Sequence, residues 1–302
     1  MIKKIMSIKG TDMEISVNAY AKINLFLDID SLREDRYHNI LSFMQSVTLH
    51  DTVTVKYESS DEKIIRIHTS DPSIPCNEKN LAYKAANLFP IANGEIDITI
   101  EKRIPMEAGL AGGSADAAAT LVALNNLSSK PLSMDELKKL GNKLGADVPF
   151  CIETGACIAK GTGDILETAP IMPNFPIVIA KMGEGMSTPE AYRALDAKYN
   201  NFVDHTPKNE KLSVLVSAEP VETDEYANSF YNIFESVVEP IRPKVTLLKS
   251  TMMENGAINA IMSGSGTSVF GVFKNEADAA KSLSSLISLG ANAHLCYPLN
   301  NG

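Results

Sequence analysis

Apolar and polar residues alternate along Glu14–Tyr20, and the alternation runs on into Ala21–Ile29. That two-residue period belongs to a strand with one buried face. It predicts two strands or one bent strand, with Lys22 and Asn24 on the same face. Thr52–Glu58 and Lys63–Thr69 are β-rich and separated by Ser59-Ser60-Asp61-Glu62, which predicts a hairpin. Asn80–Pro90 carries Leu81, Ala85, Leu88 and Phe89 at helical spacing and stops at proline, so a core helix is expected. Glu95–Lys102 alternates again as a strand, and Ser133-Met134-Asp135-Glu136 has the form of a capping box opening a helix to about Leu144. Ala156–Asp164 reads as a strand and a turn.

The second half opens with a buried strand at Pro176–Ala180, and Ser187-Thr188-Pro189 is a capped helix start. Asn200–Asp224 is polar and irregular and predicts a mobile stretch. Asn232-Ile233-Phe234-Glu235 is expected within a helix, in a packing role. Ala257–Met262 and Ser268–Phe273 predict strands about the turn Ser263-Gly264-Ser265-Gly266-Thr267, followed by a helix at Asn275–Leu289 and a strand at Ala293–Tyr297. The proline-bearing connector Pro170–Phe175 places a boundary at about 165 to 170. Residues 1–165 and 166–302 are then two domains of an α+β fold.

One stretch carries more than periodicity. After the strand ending Lys102-Arg103-Ile104 the chain reads Pro105-Met106-Glu107-Ala108-Gly109-Leu110-Ala111-Gly112-Gly113-Ser114-Ala115-Asp116, then a run of helix formers to Leu124. Strand, glycine loop and helix in that order suit an anion. Glycines let backbone N–H groups turn inward, and the helix N-terminus adds positive partial charge. Ser114 stands where an N-cap is expected. The loop lacks the Lys-Ser/Thr ending of the Walker type, and its spacing is not the dinucleotide G-x-G-x-x-G. A phosphate is the guest it fits; the bland alternative is a tight turn before a buried helix. Further on, Asp147 lies between small and apolar residues just before Pro149. It either caps a turn or is placed for chemistry.

Composition narrows the classes. With 302 residues, 44% hydrophobic and 22% charged, the chain reads as a soluble globular protein. A net charge of -9 argues against nucleic-acid or acidic-membrane partners. An anionic substrate must then meet local cations, helix dipoles and a metal. Cys76, Cys151, Cys157 and Cys296 form no C-x-x-C pair and read as reduced core or near-core thiols. Met1–Gly10 is basic without an apolar h-region, and no apolar run spans a bilayer; a cytoplasmic protein is expected.

The loop pattern from Pro105 to Ala118 resembles the second motif of the GHMP kinases, the superfamily of galactokinase, homoserine kinase and mevalonate kinase. Gly145-Ala146-Asp147-Val148-Pro149-Phe150 and the Gly-Ser-Gly turn at 264–266 resemble two further segments of that family. Ala19-Tyr20-Ala21-Lys22-Ile23-Asn24-Leu25-Phe26-Leu27 is similar to the first motif of the branch that acts on 4-diphosphocytidyl-2-C-methyl-D-erythritol in non-mevalonate isoprenoid synthesis. So are Tyr37-His38, Met44-Gln45-Ser46 and Ser187-Thr188 with Tyr192. Arg36 departs from that branch, which usually has Gly there.

The resemblance implies a two-domain fold with the active site in the interdomain cleft, and ATP-dependent phosphorylation of the substrate's 2-hydroxyl. It implies Asp147 as base and Lys22 as its cationic partner, with Asn24 orienting the hydroxyl. It also implies Pro105 to Ala115 around ATP, Ser114 on phosphate or Mg²⁺, and Tyr37, His38, Lys102 and Tyr192 at the cytosine. A kinase for homoserine or a mevalonate derivative and a non-catalytic nucleotide-binding protein are the alternatives. The chain is read as a monomer or a homodimer.

Overall fold

The computed structural model describes residues 4–9, 12–202 and 205–299. Alternation along the early chain becomes one strand of 21 residues, Asp12–Leu32, antiparallel to His38–Ser59. Its register slips at Tyr20/Lys22, Asn24/Phe26 and Ile29/Ser31. Each slip is a bulge that bends the ribbon and re-aims its side chains. The strand is therefore single and bent, and Lys22 and Asn24 lie together between the first two bulges.

Among the described residues the first sheet has eight strands. Lys4–Lys9 flanks Asp12–Leu32, and beyond His38–Ser59 come Gly94–Glu101 and then Ile64–Thr69. The expected hairpin between Thr52–Glu58 and Lys63–Thr69 does not form, because Gly94–Glu101 lies between them. It runs antiparallel to His38–Ser59 and parallel to Ile64–Thr69. Ile96, Ile98 and Ile100 are all fully buried, whereas Ile64–Thr69 buries only Ile67. The strand with a whole apolar face takes the inner position. Helix Leu81–Leu88 supplies the crossover that parallel neighbours require.

Asn80 caps that helix by accepting from the Ala82 N–H, and its buried residues are Ala82, Ala85 and Ala86; Leu88, expected in the core, is exposed. Small residues let it sit close to helix Gly112–Leu127. Ten of the thirteen residues from Ala115 to Leu127 are buried, and only Val122, Asn125 and Asn126 are not, as befits a helix set into the core. Helix Met134–Asn142 has the expected capping box between Ser133 and Glu136. Ala156–Lys160 and Ile165–Thr168 extend the sheet beside His38–Ser59.

The second sheet, in the order Ala257–Met262, Val269–Phe273, Ile177–Lys181, Asn292–Cys296, is antiparallel throughout. Helices Pro243–Glu254 and Glu276–Ser288 back it. The two sheets share apolar cores. Leu27 and Ile29 of the first sheet pack with Val178 and Met262, while Ile177 and Phe270 pack with the interior of the first.

Three expectations are corrected here. Residues 200–224 are not simply irregular: they hold helix Asn209–Leu215 and the start of Thr223–Asn228, and Leu215 is buried. Residues 203 and 204 of that stretch lie outside the described residues, as do residues 1–3 and 10 of the basic start. Asn232 sits in a two-residue strand parallel to Phe26–Leu27, not in a helix. Cys151, Cys157 and Cys296 are buried thiols, but Cys76 is exposed. No helix among the described residues is long and apolar enough to cross a membrane.

Phe43 is fully buried where the bent ribbon meets Ala156–Lys160. Phe43→Ala should lower the unfolding free energy by about 3–5 kcal/mol, read from urea denaturation.

Candidate active site

Helix Gly112–Leu127 begins two residues before the predicted cap. Ala111 occupies the N-cap position in left-handed conformation, φ 57°, and no side chain caps the helix. Ser114 lies in the first turn instead. The glycine loop has already turned the backbone at Ala111, so the helix starts at Gly112 with its first N–H groups uncapped. A cavity of about 640 Å³ opens in front of them. Every residue from Pro105 to Ser114 lines it, while Ala115 turns into the core.

The loop is clamped from the far side. Gly109 has φ +73°, and a Cβ there would stand 2.0 Å from the Ser263 carbonyl oxygen. Gly264, φ +57°, closes on Gly109 in turn: a Cβ there would lie 2.9 Å from the Gly109 oxygen. The Ser263 hydroxyl donates to that same Gly109 oxygen at 3.0 Å, and the Ser268 N–H donates to the Ala108 carbonyl at 3.2 Å. Asn232 holds the second turn by donating to the Met262 and Gly264 carbonyls at 2.7 and 2.8 Å.

Lys22 and Asn24 face the same cavity from the bent strand. The Lys22 ammonium donates to Asn24 Oδ1 at 2.7 Å, and Asn24 Nδ2 donates to Ser42 Oγ at 2.8 Å. The Lys22 backbone N–H donates to the Leu110 carbonyl at 3.1 Å, joining strand to loop. Asp147 lines the cavity at the N-cap position of helix Val148–Glu153 without making a side-chain cap bond. No ion pair within 4.0 Å is formed between Lys22 and Asp147. Both charges nevertheless reach Cys151, whose thiol is pushed up first by burial, then further by Asp147 and back down by Lys22.

Lys102 is buried rather than solvated. Its ammonium pairs with Asp51 and, at 2.7 Å, with Asp116. Asp51 also accepts from the Arg103 and Ile104 N–H groups at 2.5 and 2.8 Å, which fixes the entry to the loop. Asp116 stands on the first helical turns, so Lys102 bridges the two ends of the loop. Burial alone would lower the Lys102 pKa, but Asp116 and Asp51 together raise it. Burial also pushes the Asp116 carboxyl up to about 7, against the pull of Lys102. Its Oδ1 is buried without a partner.

Tyr192 lines the cavity, as do Phe234, Leu27 and Ile40. Its hydroxyl is pushed up to about 12, first by burial and then by Asp147 and Asp196. His38 stacks on Tyr192 with ring centroids 4.6 Å apart. Tyr37 stands apart, 66% exposed on the preceding turn and not on the cavity wall. Arg36 adopts φ 63°, the conformation a glycine would take without strain.

Sequence reasoning brought Lys22, Asn24, Asp147 and the loop to one place but missed Asp51, Asp116, Asn232 and Ser263 as supports. A lone acid within an alanine-rich helix was the available sign for Asp116. Asp51 acts through partners about fifty residues away and left none; Asn232, expected only to pack, accepts from the nearby Phe234 N–H but holds the turn through the distant Met262 and Gly264 carbonyls.

Residues 80–155 match the family model of the GHMP kinases N-terminal domain, and residues 218–292 that of the GHMP kinases C-terminal domain. The chain is 40% identical over 285 residues to the 4-diphosphocytidyl-2-C-methyl-D-erythritol kinase of Alkaliphilus metalliredigens, covering 93% of this chain and 96% of that protein. It is 41% identical over 270 residues to the protein of the same name from Clostridioides difficile, covering 88% of each. A crystal structure of 4-(cytidine 5'-diphospho)-2C-methyl-D-erythritol kinase matches with a TM-score of 0.76 at 30% identity, covering 95% of this chain and 100% of that one.

Gly109→Ala should weaken ATP binding by about tenfold or more and destabilise the fold by at least ~1–2 kcal/mol, the cost of a left-handed non-glycine residue. Isothermal titration and thermal melting measure the two. Between about pH 4 and 7 the folded chain keeps the Asp116 proton that the unfolded chain has released. Stability contributed by this group therefore falls as pH rises through that window. Asp116→Asn should flatten the dependence in urea unfolding at several pH values; equal slopes in both proteins would contradict the burial account.

Proposed function

Because the chain belongs to the GHMP kinases, in the branch of the 4-diphosphocytidyl-2-C-methyl-D-erythritol kinases, we propose one task for each residue on the cavity wall. The reaction is transfer of the terminal phosphoryl group of ATP to the 2-hydroxyl of 4-diphosphocytidyl-2-C-methyl-D-erythritol, a step of non-mevalonate isoprenoid precursor synthesis. The observation that carries the residue assignments is convergence. Lys22, Asn24, Asp147 and an uncapped helix N-terminus all line a single cavity.

The loop Pro105 to Ala115 surrounds ATP: its cavity-facing part, Met106 to Ser114, holds the phosphates through N–H groups and the dipole of helix Gly112–Leu127, and Ala115, whose N–H donates to the Ala111 carbonyl, anchors it. Asp147 accepts the proton of the attacking hydroxyl, as an uncapped carboxylate on the cavity wall can. Asn24 orients that hydroxyl. Lys22 is the cationic partner on the same wall and offsets charge developing on the transferred group. We assign Tyr37, His38, Lys102 and Tyr192 to the cytosine end: Tyr192 and Lys102 lie on the cavity wall, His38 stands behind Tyr192 as its stacking partner, and Tyr37 is on the exposed turn before His38; Lys102, fixed by two carboxylates, acts there by shaping the loop.

Mg²⁺ is the metal we assign. The hydroxyl of Ser114 and the unpartnered Oδ1 of Asp116 are hard oxygen donors at the head of the loop helix. The described residues hold no cluster of three or more His, Cys, Asp or Glu that would form a dedicated cage. That sparse set fits an ion that keeps several waters and binds largely through substrate phosphates. Ser114 would hold it, and its charge would neutralise the phosphates during transfer.

We further assign residues 1–165 and 166–302 to the two lobes. We also place the protein in the cytoplasm, as a monomer or a homodimer acting on a small molecule, with no nucleic-acid or membrane partner.

Positioning and charge neutralisation dominate phosphoryl transfer. Asp147→Asn should therefore cost on the order of 10³-fold in kcat with ATP affinity preserved. The test is ADP release with Mg-ATP and, in parallel, the cytidine diphosphate alcohol, homoserine and mevalonate. Turnover with the first alone is expected, and a variant that keeps near-full turnover would remove Asp147 from the base role.

A further inference from the structure

Ser42 stands one layer behind the cavity. It is fully buried and is not part of the cavity wall. Its strand is paired on both sides here, Ser42 facing Leu27 of Asp12–Leu32 and Ala159 of Ala156–Lys160. The hydroxyl is therefore carried on backbone that is held from two directions. It donates to the Phe26 carbonyl at 2.8 Å. The register slip between Asn24 and Phe26 lies beside this contact, and a bulge of that kind re-aims the side chains around it.

Each hydrogen bond in this group has a forced direction. A carbonyl only accepts, so the single Ser42 hydroxyl proton is committed to Phe26. Toward Asn24, 2.8 Å away, the Ser42 oxygen can then only accept, and the atom facing it must be the amide nitrogen Nδ2. That turns Asn24 Oδ1 the other way, onto the Lys22 ammonium at 2.7 Å. An ammonium only donates, so this end of the amide requires the same orientation. Two independent demands fix one side chain.

Lys22 depends on that orientation. Among the described residues its buried ammonium has no hydrogen-bond or ion-pair partner besides Asn24. With the amide turned around, N–H groups would face the ammonium, donor against donor, and Lys22 would lose its anchor. We infer that Ser42 is a positioning residue for phosphoryl transfer: by committing its proton to Phe26 it holds the Asn24 amide in the one orientation that fixes the Lys22 ammonium at the cavity. The inference rests on the reading of Lys22 as the cation that offsets charge on the transferred group. Charges fixed in advance need no reorganisation in the transition state, so a residue that never touches substrate should show in kcat.

In the full-length enzyme, Ser42→Ala should lower kcat roughly ten- to a hundredfold, less than the loss of a charge-stabilising donor itself. The KM for ATP should stay within about twofold, because the glycine loop is untouched. Ser42→Thr keeps the hydroxyl and should recover most of the loss. A double-mutant cycle separates positioning from packing: in an Asn24→Ala background, Ser42→Ala should cost less than about twofold more, since the side chain it acts through is gone. Ser42→Cys, close in volume but a weak acceptor, covers the case in which the alanine variant does not fold, and its kcat should fall in the same direction. Full kcat in the alanine or cysteine variant, or an equal loss with and without Asn24, overturns the role of Ser42. Lys22→Ala is measured alongside: a kcat within about twofold of wild type would overturn the reading of Lys22, and this inference with it.

Discussion

Two glycine turns pressed backbone to backbone organise this molecule. Gly109 and Gly264 come so close that neither position has room for a side chain. The Ser263 hydroxyl seals the contact by donating to the Gly109 carbonyl. One turn belongs to the loop in front of the first sheet and the other joins two strands of the second. The glycine loop is therefore shaped by contacts more than 150 residues away in sequence, the Ser263–Gly109 separation being 154. Left-handed glycines allow the approach, and the shared apolar core around Leu27, Met262 and Ile177 keeps it in register.

Charge follows from that packing. Closing the loop buries Lys102 with Asp51 and Asp116, two carboxylates around one ammonium. A buried group of this kind stabilises only if its members are matched. Here the surplus negative charge falls on Asp116, whose proton affinity rises and whose Oδ1 lacks a protein partner. The arrangement places a spare hard oxygen beside the helix end where phosphates and Mg²⁺ are assigned. The same economy operates on the opposite wall, where Lys22 rests on Asn24 and Asn24 on Ser42. Lys22 and Lys102 are thus held in fixed places before any substrate arrives, which is what preorganised electrostatic catalysis requires.

The packing behind Tyr192 is built from a different material. Phe234, Tyr192, His38, Phe202 and His205 form a continuous run of ring contacts. Asp196 and Asp28 each take one histidine of that run. Rings supply area at little entropic cost, and carboxylates supply direction to their hydrogen bonds. The stretch beyond residue 200 looks unstructured in composition because its order comes from these contacts and not from local propensity.

Local chemistry was legible without coordinates. The alternation that pairs Lys22 with Asn24, the capping box at Ser133, the Ser187 cap and the strand–loop–helix order around Gly112 all express interactions within a few residues, and all appear in the fold. The family motifs were equally readable, since each is a short run of side chains whose neighbours in space are neighbours in sequence. Tertiary structure alone decided the rest. Gly94–Glu101 displaced the expected hairpin because sheet order depends on which strand can bury a whole face. Ser114 lost the cap position because Ala111 turned left-handed within the clamped loop. Lys102, the end of a strand in sequence, is buried by Asp51, 51 residues earlier, and Asp116, 14 residues later. Periodicity records which side of an element is apolar; it carries no record of what that side will meet, and long-range contacts between polar side chains are where that record ends.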